Sequence, residues 1–334
     1  MQILLTGAFG NLGVSTLEEL LNRGHQVRAF DIMTRTNLHS ARRYQDRLEV
    51  CWGDLRDPAS LFAAVQDQQA VIHLGYVIPR LSATGVNSED RPEWAREINV
   101  GGTRNLLDAM LAQPEPPRLI FGSSLHVFGR TQADLPPRRV SDPLQPVEHY
   151  AQHKVETERM IRNSRLVWSI FRFGAALPIR LILDPGMFEV PLDNRIEFVH
   201  SRDVALAIAN ALEGADVWGK TLLIGGGKPC QLTYREMMES VLGVAGLGKF
   251  PDQAFTSVPY STDWLDTAES QRLLNYQTRT LADYLKEMKA RLSYRRGLVL
   301  ILRPFIRRWL LRRSPYYGIR RPVPGAESLL ADKP

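Results

Sequence analysis

Short apolar runs alternate with amphipathic stretches along most of the chain, and this alternation predicts the fold. Continuous apolar runs are typical of strands buried on both faces of a parallel sheet. Apolar residues at i, i+3 and i+4 spacing are typical of the helices that cover such a sheet. We predict strands at 3–5, 26–30, 48–53, 70–74, 119–121, 166–171 and 221–224, and helices over 60–66, 92–111, 148–162, 203–212, 233–242 and 267–292, besides one through Leu17 and Leu21. This order predicts an α/β fold with a Rossmann-like, doubly wound parallel sheet.

A glycine-rich turn follows the first predicted strand. Its residues, Thr6-Gly-Ala-Phe-Gly-Asn-Leu-Gly13, have the spacing G-x-x-G-x-x-G and lead into a helix. Glycines at these positions permit a tight turn, a close approach of the backbone to a pyrophosphate and close packing of helix on strand. The N-terminus of a helix also attracts phosphate, because its free N–H groups and its dipole favour negative charge. The turn therefore predicts a dinucleotide site.

An aspartate ends the second predicted strand. Asp31 follows the glycine turn by about 20 residues, where a carboxylate can accept hydrogen bonds from the adenosine ribose. This position favours NAD over NADP, although the nearby Arg35 could help to bind a 2′-phosphate. The alternative is an aspartate that only begins a turn.

A tyrosine and a lysine stand four residues apart in the segment Tyr150-Ala-Gln-His-Lys154. In a helix such side chains share a face, so Lys154 would lie beside Tyr150. A free tyrosine has a pKa of about 10, and a neighbouring positive charge lowers that pKa by stabilising the phenolate. Such a tyrosine can act as a general acid or base. The alternative is a surface helix on which the tyrosine packs and the lysine is solvated.

Motifs from the first strand to about Val204 together resemble one family. They are Thr6-Gly-Ala-Phe-Gly-Asn-Leu-Gly13, Asp31, Asp54-Leu-Arg-Asp57, His73-Leu-Gly75, Asn99-Val-Gly-Gly-Thr103, Phe121-Gly-Ser-Ser-Leu-His-Val-Phe-Gly129, Tyr150-Ala-Gln-His-Lys154 and Phe198-Val-His-Ser-Arg-Asp-Val204. In this set the chain resembles the extended short-chain dehydrogenase/reductases, the NAD-dependent epimerase/dehydratase group.

The resemblance implies a role for each matching residue. Ser124 and Tyr150 resemble the hydroxyl pair that polarises a substrate oxygen, with Tyr150 as acid or base. Lys154 resembles the residue that holds the nicotinamide ribose and depresses the pKa of Tyr150, whereas Asp54 and Leu55 would lie beside the adenine. A homodimer through the helices at 92–111 and 148–162 is also implied. The residues implied to bind NAD are Gly7, Phe9, Gly10, Asn11, Leu12, Gly13, Asp31, Asp54, Leu55, Leu74, Gly75, Tyr76, Asn99, Ser123, Tyr150, Lys154 and Phe173.

The substrate side of the cleft departs from the nucleotide-sugar members of that family. Where those members commonly carry an asparagine that helps to hold the substrate diphosphate, this chain has Gly174. The insertion at 179–197 is short and largely apolar, which is typical of a small lid over a modest substrate. Its arginines are candidate anion contacts, the alternative being ordinary solvated charges. The candidate substrate residues are Val77, Arg80, His126, Ala175, Arg180, Met187 and Arg195.

Composition bounds the domain organisation and the compartment. The chain has 334 residues, and 44% of them are hydrophobic, which suits a globular protein with a full core. We predict a dinucleotide-binding domain at 1–172 to which 198–225 returns, a substrate lobe at 173–197 and 226–296, and a basic tail at 297–334. Only Cys51 and Cys230 are present, without metal-ligand spacing, so we expect no metal and a cytoplasmic protein. The N-terminus reads as a strand rather than a signal peptide.

The positive charge is concentrated near the C-terminus. The net charge is +6, and about twelve Lys or Arg between Lys286 and Arg321 face the single Glu287, which leaves roughly −5 on the rest of the chain. From Leu298 onward apolar residues recur at helical spacing among arginines. One hypothesis is a peripheral anchor on an anionic membrane. The alternative is a helix that packs on its own lobe or on a second subunit, and nucleic-acid binding is not expected.

Three functions remain open from the sequence. The leading hypothesis is an NAD-dependent oxidoreductase that transfers hydride between the nicotinamide and a secondary alcohol or ketone of a small substrate, because such a transfer requires a proton to move at the same oxygen. A second is a sugar or nucleotide-sugar epimerase or dehydratase that retains NAD. A third is a dinucleotide-binding scaffold without catalysis.

Overall fold

The computed structural model describes residues 1–44, 46–80, 85–293 and 295–318. Its strands are β1 (Gln2–Thr6), β2 (Gln26–Asp31), β3 (Glu49–Trp52), β4 (Ala70–His73), β5 (Arg118–Ser124), β6 (Trp168–Phe173), β7 (Arg195–Glu197), β8 (Thr221–Ile224) and β9 (Gln231–Thr233). Its helices are α1 (Asn11–Asn22), α2 (Arg35–Ala41), α3 (Pro58–Val65), α4 (Pro92–Arg96), α5 (Gly102–Leu111), α6 (His149–Asn163), α7 (Ser201–Glu213), α8 (Tyr234–Ala245), α9 (Ala268–Leu274), α10 (Leu281–Leu292) and α11 (Arg295–Arg313).

Seven strands form one parallel sheet, as predicted. Their order is β3-β2-β1-β4-β5-β6-β8, so the direction of winding reverses between β1 and β4. In such a sheet the crevice outside the carboxyl ends of the strands, at the point of reversal, is where ligands bind. The glycine turn after β1 and the segment after β4 therefore border the same crevice.

The sheet is covered on both faces, which explains its unbroken apolar strands. In β1, Ile3 and Leu5 belong to one buried cluster with α1 and α7, whereas Leu4 belongs to the cluster on the opposite face with α3 and α5. Successive side chains of a strand point to opposite faces, so a strand covered on both sides must be apolar throughout.

A smaller lobe has its own hydrophobic cluster. It draws on the segment before β7 and on the chain after β8, and it includes Phe188, Tyr234, Met288 and Leu310. Leu310 places α11 in this cluster, so the described part of the predicted tail packs on the lobe. Residues 319–334 of that prediction lie outside the described part of the chain.

Two predicted helices differ from the structure. The helix predicted at 92–111 contains a π-helical turn, Glu97–Gly101, between α4 and α5. The helix predicted at 267–292 is two helices, because Asn275 adopts a left-handed conformation with φ of 44° and ends α9. The sequence also did not predict the short antiparallel pair β7–β9, since strands of three residues have too few positions to show a period.

Candidate active site

The three glycine positions of the turn leave little or no space for a side chain. Gly7 has a φ of 67°, and a Cβ on it would lie 2.7 Å from the amide nitrogen of Gly75. A Cβ on Gly13 would lie 2.0 Å from the carbonyl oxygen of Gly7, and one on Gly10 would lie 3.3 Å from the same oxygen. The turn therefore forms a bare backbone cradle at the N-terminus of α1, as a pyrophosphate group requires.

Asp31 joins the end of β2 to this cradle. Its Oδ2 accepts a hydrogen bond from the backbone N–H of Phe9 at 2.9 Å, and its Oδ1 accepts one from that of Ile32 at 2.8 Å. Burial raises the pKa of Asp31, and the two backbone hydrogen bonds oppose that shift. Each oxygen keeps a second lone pair, so this carboxylate fits the hydroxyls of an adenosine ribose. Arg35 is exposed at the start of α2.

Substitution of Gly13 by alanine is expected to lower NAD affinity at least about tenfold and to cost roughly 1–3 kcal/mol of stability, because the new Cβ forces the turn to open. Isothermal titration calorimetry with NAD and a chemical unfolding curve measure both effects. Gly243→Ala is the matched control, since a Cβ there meets nothing within 4 Å. Equal NAD affinity in the two variants would contradict the assignment of the cradle.

Tyr150 lies in the first turn of α6 beside Ser124 at the end of β5. Burial raises the pKa of Tyr150 to about 12, and the neighbouring Ser124 hydroxyl opposes that shift. The rings of Tyr76 and His126 meet the phenol edge to face, each with centroids 6.0 Å away. The Ser124 hydroxyl and the phenol therefore lie near each other at this edge of the sheet.

Lys154 lies on the same side of α6 as Tyr150, but its ammonium does not lower the phenol's pKa. Its Nζ donates to the carbonyl oxygen of Gly122 at 2.6 Å and sits 3.3 Å from the ring centroid of Tyr76. The distance from Nζ to the ring centroid of Tyr150 is 5.7 Å. Burial places the pKa of Lys154 well below its usual value, although the charge of Glu158 opposes this. The expected depression of the Tyr150 pKa is therefore wrong for this structure.

A carboxylate far away in the sequence holds the N-terminus of α6. The two oxygens of Glu89 accept hydrogen bonds, each 2.9 Å long, from the backbone N–H groups of His149 and Tyr150. A carboxylate at this position satisfies free N–H groups and complements the helix dipole. Glu89 was not predictable from the sequence, because it stands about sixty residues before the helix that it caps.

A buried ion pair between Glu158 and Arg172 contacts the end of β5. Glu158 accepts hydrogen bonds from the Ser123 hydroxyl at 2.5 Å and from the Arg172 Nε and Nη2 at 3.0 and 2.7 Å. The Ser123 hydroxyl is thus directed into the protein rather than toward the cleft. Because Glu158 follows Lys154 by one helical turn, the pair also anchors the part of α6 that carries Lys154.

An amide and a histidine hold the segment after β4. The side chain of Asn99 accepts from the Val77 N–H at 2.7 Å and donates to the Val77 carbonyl at 2.9 Å. His73 contacts the hydroxyls of Thr6 at 2.7 Å and Thr103 at 2.9 Å. Burial lowers the pKa of His73 to about 3, so it is neutral. Asn99 therefore shapes the cleft wall through backbone contacts.

The remaining cofactor candidates lie in α1 or at and after the carboxyl ends of the strands. Asn11 begins α1 and donates to the Ala176 carbonyl at 3.0 Å. Asp54 forms an ion pair with Arg56 that lowers the pKa of Asp54. The apolar candidates Leu12, Leu55, Leu74 and Phe173 are buried or partly buried in the two clusters that flank the sheet.

The three arginines among the candidate substrate residues lie in different surroundings. Arg195 is fully engaged, with its Nε 2.6 Å from Asp263 and further hydrogen bonds to the carbonyls of Thr131 and Gln132. Arg80 is exposed and pairs with Glu189 at 2.5 Å in the insertion. Arg180 is exposed.

The exit of β6 is closed to a larger side chain. A Cβ on Gly174 would lie 2.8 Å from the carbonyl oxygen of Glu197. The next residue, Ala175, exchanges backbone hydrogen bonds with Glu197 and Val199. Met187 is partly buried, and its carbonyl accepts from the Tyr234 hydroxyl at 2.9 Å. An asparagine at Gly174 would require the backbone to shift.

His126 faces Tyr150 from the other side and pairs loosely with a carboxylate. Its Nδ1 lies 3.9 Å from the Oε2 of Glu148, and the other oxygen of Glu148 accepts from the Ser261 hydroxyl at 2.6 Å. Burial lowers the pKa of His126, and the charge of Glu148 opposes that shift. His126 was expected on the substrate side, whereas its neighbours Glu148 and Ser261 were not predicted.

The sequence matches a known protein-family model. The model described as the NAD dependent epimerase/dehydratase family matches residues 3–172, about half of the 334 residues. This chain belongs to the NAD-dependent epimerase/dehydratase family. NAD is the cofactor for which the family is named, and the bare glycine cradle with its buried aspartate fits that cofactor.

Curated proteins match parts of the chain. A 3 beta-hydroxysteroid dehydrogenase/Delta 5-->4-isomerase of Mycobacterium tuberculosis is 35% identical over 108 residues, which are 32% of this chain and 28% of that protein. A D-erythronate dehydrogenase of Cupriavidus necator is 31% identical over 176 residues, 49% of this chain and 50% of that protein. The chain thus spans half or less of these relatives.

Solved structures share the fold over nearly the whole chain. A short-chain dehydrogenase/reductase superfamily protein from Agrobacterium tumefaciens with bound NAD has 21% identity and a TM-score of 0.70, covering 91% of this chain and 100% of that one. A UDP-glucuronic acid 4-epimerase from Bacillus cereus, in complex with UDP-glucuronic acid and NAD, has 19% identity and a TM-score of 0.73, covering 88% and 99%.

Proposed function

We propose that this protein is an NAD-dependent oxidoreductase that interconverts a secondary alcohol and a ketone in a small substrate. The nearness of the Ser124 hydroxyl to the Tyr150 phenol at the carboxyl end of β5, in a sheet that also presents the glycine cradle at its carboxyl edge, carries the proposal. Two hydroxyls of this kind can bind one substrate oxygen and move a proton at it.

NAD, when bound, accepts or supplies the hydride. The cradle from Gly7 to Gly13 would hold its pyrophosphate, and Asp31 would hold its adenosine ribose. In ketone reduction Tyr150 gives its proton to the substrate oxygen, and in alcohol oxidation it takes that proton. Ser124 orients the substrate oxygen toward Tyr150. Lys154 supports this end of the cleft through its contacts with Gly122 and Tyr76.

The substrate wall favours a small substrate over a nucleotide sugar. Gly174 has no room for a larger polar side chain, and the guanidinium of Arg195 is already saturated by Asp263 and backbone carbonyls. The insertion before β7 places partly buried Leu181, Leu183 and Met187 in the lobe cluster. These features support a modest, largely uncharged binding space.

The test compares the amount of NADH formed with the amount of substrate converted. The purified full chain is incubated with NAD and a panel of secondary alcohols, including hydroxy acids, polyols and free sugars, and in parallel with UDP-sugars. We expect NADH to accumulate in proportion to the alcohol consumed. Conversion of a UDP-sugar without net NADH would replace the proposal by the epimerase or dehydratase alternative, whereas NAD binding without turnover of any of these compounds would favour the scaffold.

A further inference from the structure

One side of α11 is docked on the C-terminal lobe. Leu310 is fully buried, and Val299, Ile306 and Leu311 pack against the same hydrophobic cluster. This contact accounts for one of the alternatives that the sequence left open, packing on the chain's own lobe. It uses only one side of the helix.

Two arginines on the docked side of α11 donate hydrogen bonds to backbone carbonyls near the end of α8. Arg296 donates to the carbonyl of Val244 at 2.9 Å, and Arg307 donates to that of Leu247 at 2.8 Å. The guanidinium of Arg307 also lies 4.4 Å from the ring centroid of Phe250. The Val244 carbonyl lies in the last turn of α8 and the Leu247 carbonyl lies just after it, at the end where a helix has free acceptors and a negative dipole end. The rotation of α11 about its own axis is therefore set.

The opposite side of α11 carries a second apolar surface, which we call the outer stripe. Its residues are 41–73% exposed and follow the spacing i, i+3, i+4, i+7 and i+11, so they form one line about 17 Å long on the helix. Large apolar side chains gathered in this way mark an interaction surface. The members of the outer stripe are Leu298, Ile301, Leu302, Phe305 and Trp309.

The charged residues of α11 itself all have one sign. α11 contains seven arginines and no acidic residue. Arg308, Arg312 and Arg313 are exposed at its C-terminal end, and Arg313 lies 4.6 Å from the ring centroid of Trp309. A line of apolar side chains that includes a tryptophan and is bordered by arginines is complementary to a surface with an apolar interior and anionic groups at its boundary with water.

We propose that the outer stripe binds the anionic leaflet of a phospholipid membrane, with α11 lying in the plane of the interface. The apolar side chains enter the boundary of the acyl chains, and the arginines contact lipid phosphates. A second copy of the chain fits less well, because two outer stripes brought together would oppose their arginines. None of the helices in the described ranges has the length and apolarity to cross a bilayer.

Vesicle flotation with the full chain tests this proposal. We expect the protein to float with vesicles of phosphatidylcholine and phosphatidylglycerol, and not with pure phosphatidylcholine at the same salt. The double variant Ile301→Ser/Phe305→Ser should lose at least about tenfold in apparent affinity, because it removes the two most exposed members of the stripe. Arg308→Gln/Arg312→Gln should lose roughly tenfold or more.

Matched controls remove the same chemistry elsewhere on the surface. Phe62→Ser/Leu135→Ser changes exposed apolar residues, and Arg139→Gln/Arg165→Gln changes exposed arginines; both should float like the unaltered chain. Circular dichroism and melting curves check that each variant is folded. The proposal is overturned if the unaltered chain does not bind the vesicles or if it floats equally with neutral vesicles. It is also overturned if the Ile301→Ser/Phe305→Ser variant floats as well as the unaltered chain. A dimer that the stripe variant dissociates, without flotation, would identify a second copy as the occupant.

Discussion

Replacement of Tyr150 by phenylalanine is expected to lower turnover roughly 10²–10⁴-fold while NAD still binds, because the substrate oxygen loses its proton donor and acceptor. The ring of Tyr150 would keep its edge-to-face contacts with Tyr76 and His126, since these do not involve the hydroxyl. Steady-state rates with the best alcohol from the panel, together with NAD titration, separate the two effects.

The pH profile gives this prediction a second readout. Burial raises the pKa of Tyr150 to about 12, so the phenol is almost entirely protonated at neutral pH. Alcohol oxidation needs the deprotonated form, and its kcat/KM should therefore rise about tenfold per pH unit below that pKa. Ketone reduction uses the protonated form and should change little over the same range. The rise with pH should be absent in Tyr150→Phe.

Tyr284→Phe is the matched control for the loss of a phenolic hydroxyl. Tyr284 is buried in the C-terminal lobe, and its hydroxyl donates to the Pro178 carbonyl at 3.1 Å. Its loss should cost about 1 kcal/mol of stability and leave turnover intact. Unchanged turnover in Tyr150→Phe, or an oxidation rate that is independent of pH, would refute the role of Tyr150.

Replacement of Glu158 by glutamine is expected to lower the free energy of unfolding by ~3–5 kcal/mol at pH 7, because it leaves the buried Arg172 guanidinium without its counter-charge. Both side chains are at most 2% exposed. The substitution also weakens the acceptor for the Ser123 hydroxyl. Chemical unfolding followed by fluorescence measures the loss.

The pH dependence of this loss has a definite sign. Burial raises the pKa of Glu158, but the hydrogen bonds and charge of Arg172 outweigh it, so the net shift is downward. A carboxyl with a lowered folded-state pKa contributes stability above its unfolded-state pKa, and that contribution disappears as pH falls through the folded value. The difference between the unaltered chain and Glu158→Gln should therefore narrow below about pH 4.

Glu156→Gln is the matched control on the same helix. Glu156 pairs with Arg96 at the surface, and its side chain is 35% exposed, so its loss should cost only ~0–1 kcal/mol. Equal losses in the two variants at pH 7 would show that the Glu158–Arg172 pair contributes no more than a surface contact.

The local features of the site could be predicted because each depends on a short spacing. The cradle needs three glycines between a strand and a helix, and the side-by-side placement of Tyr150 and Lys154 needs only a helix with its period of 3.6 residues. The same reasoning located the strands of the sheet. It could not detect β7 and β9, and it did not find the break after Asn275.

The direction in which a polar side chain points was not predictable, because its partners come from distant segments. Arg195 had the position of an anion contact, yet Asp263 and backbone carbonyls occupy its guanidinium. Lys154 was expected to face the phenol, yet the Gly122 carbonyl and the Tyr76 ring hold it. The partners of such a side chain depend on which groups the folded chain places within about 3 Å of its charged atoms.

By itself the sequence determined the Rossmann-like sheet, the glycine turn and the spacing of the candidate tyrosine and lysine, since periodicity and spacing are local properties of a chain; the candidate serine was implied by the family resemblance. Only the tertiary structure decided that Glu89 caps α6, that burial holds the pKa of Tyr150 high, and that α11 has a docked side and an exposed one. Burial and hydrogen-bond partnership arise from the packing of segments that are far apart in the sequence, and a local pattern does not contain them.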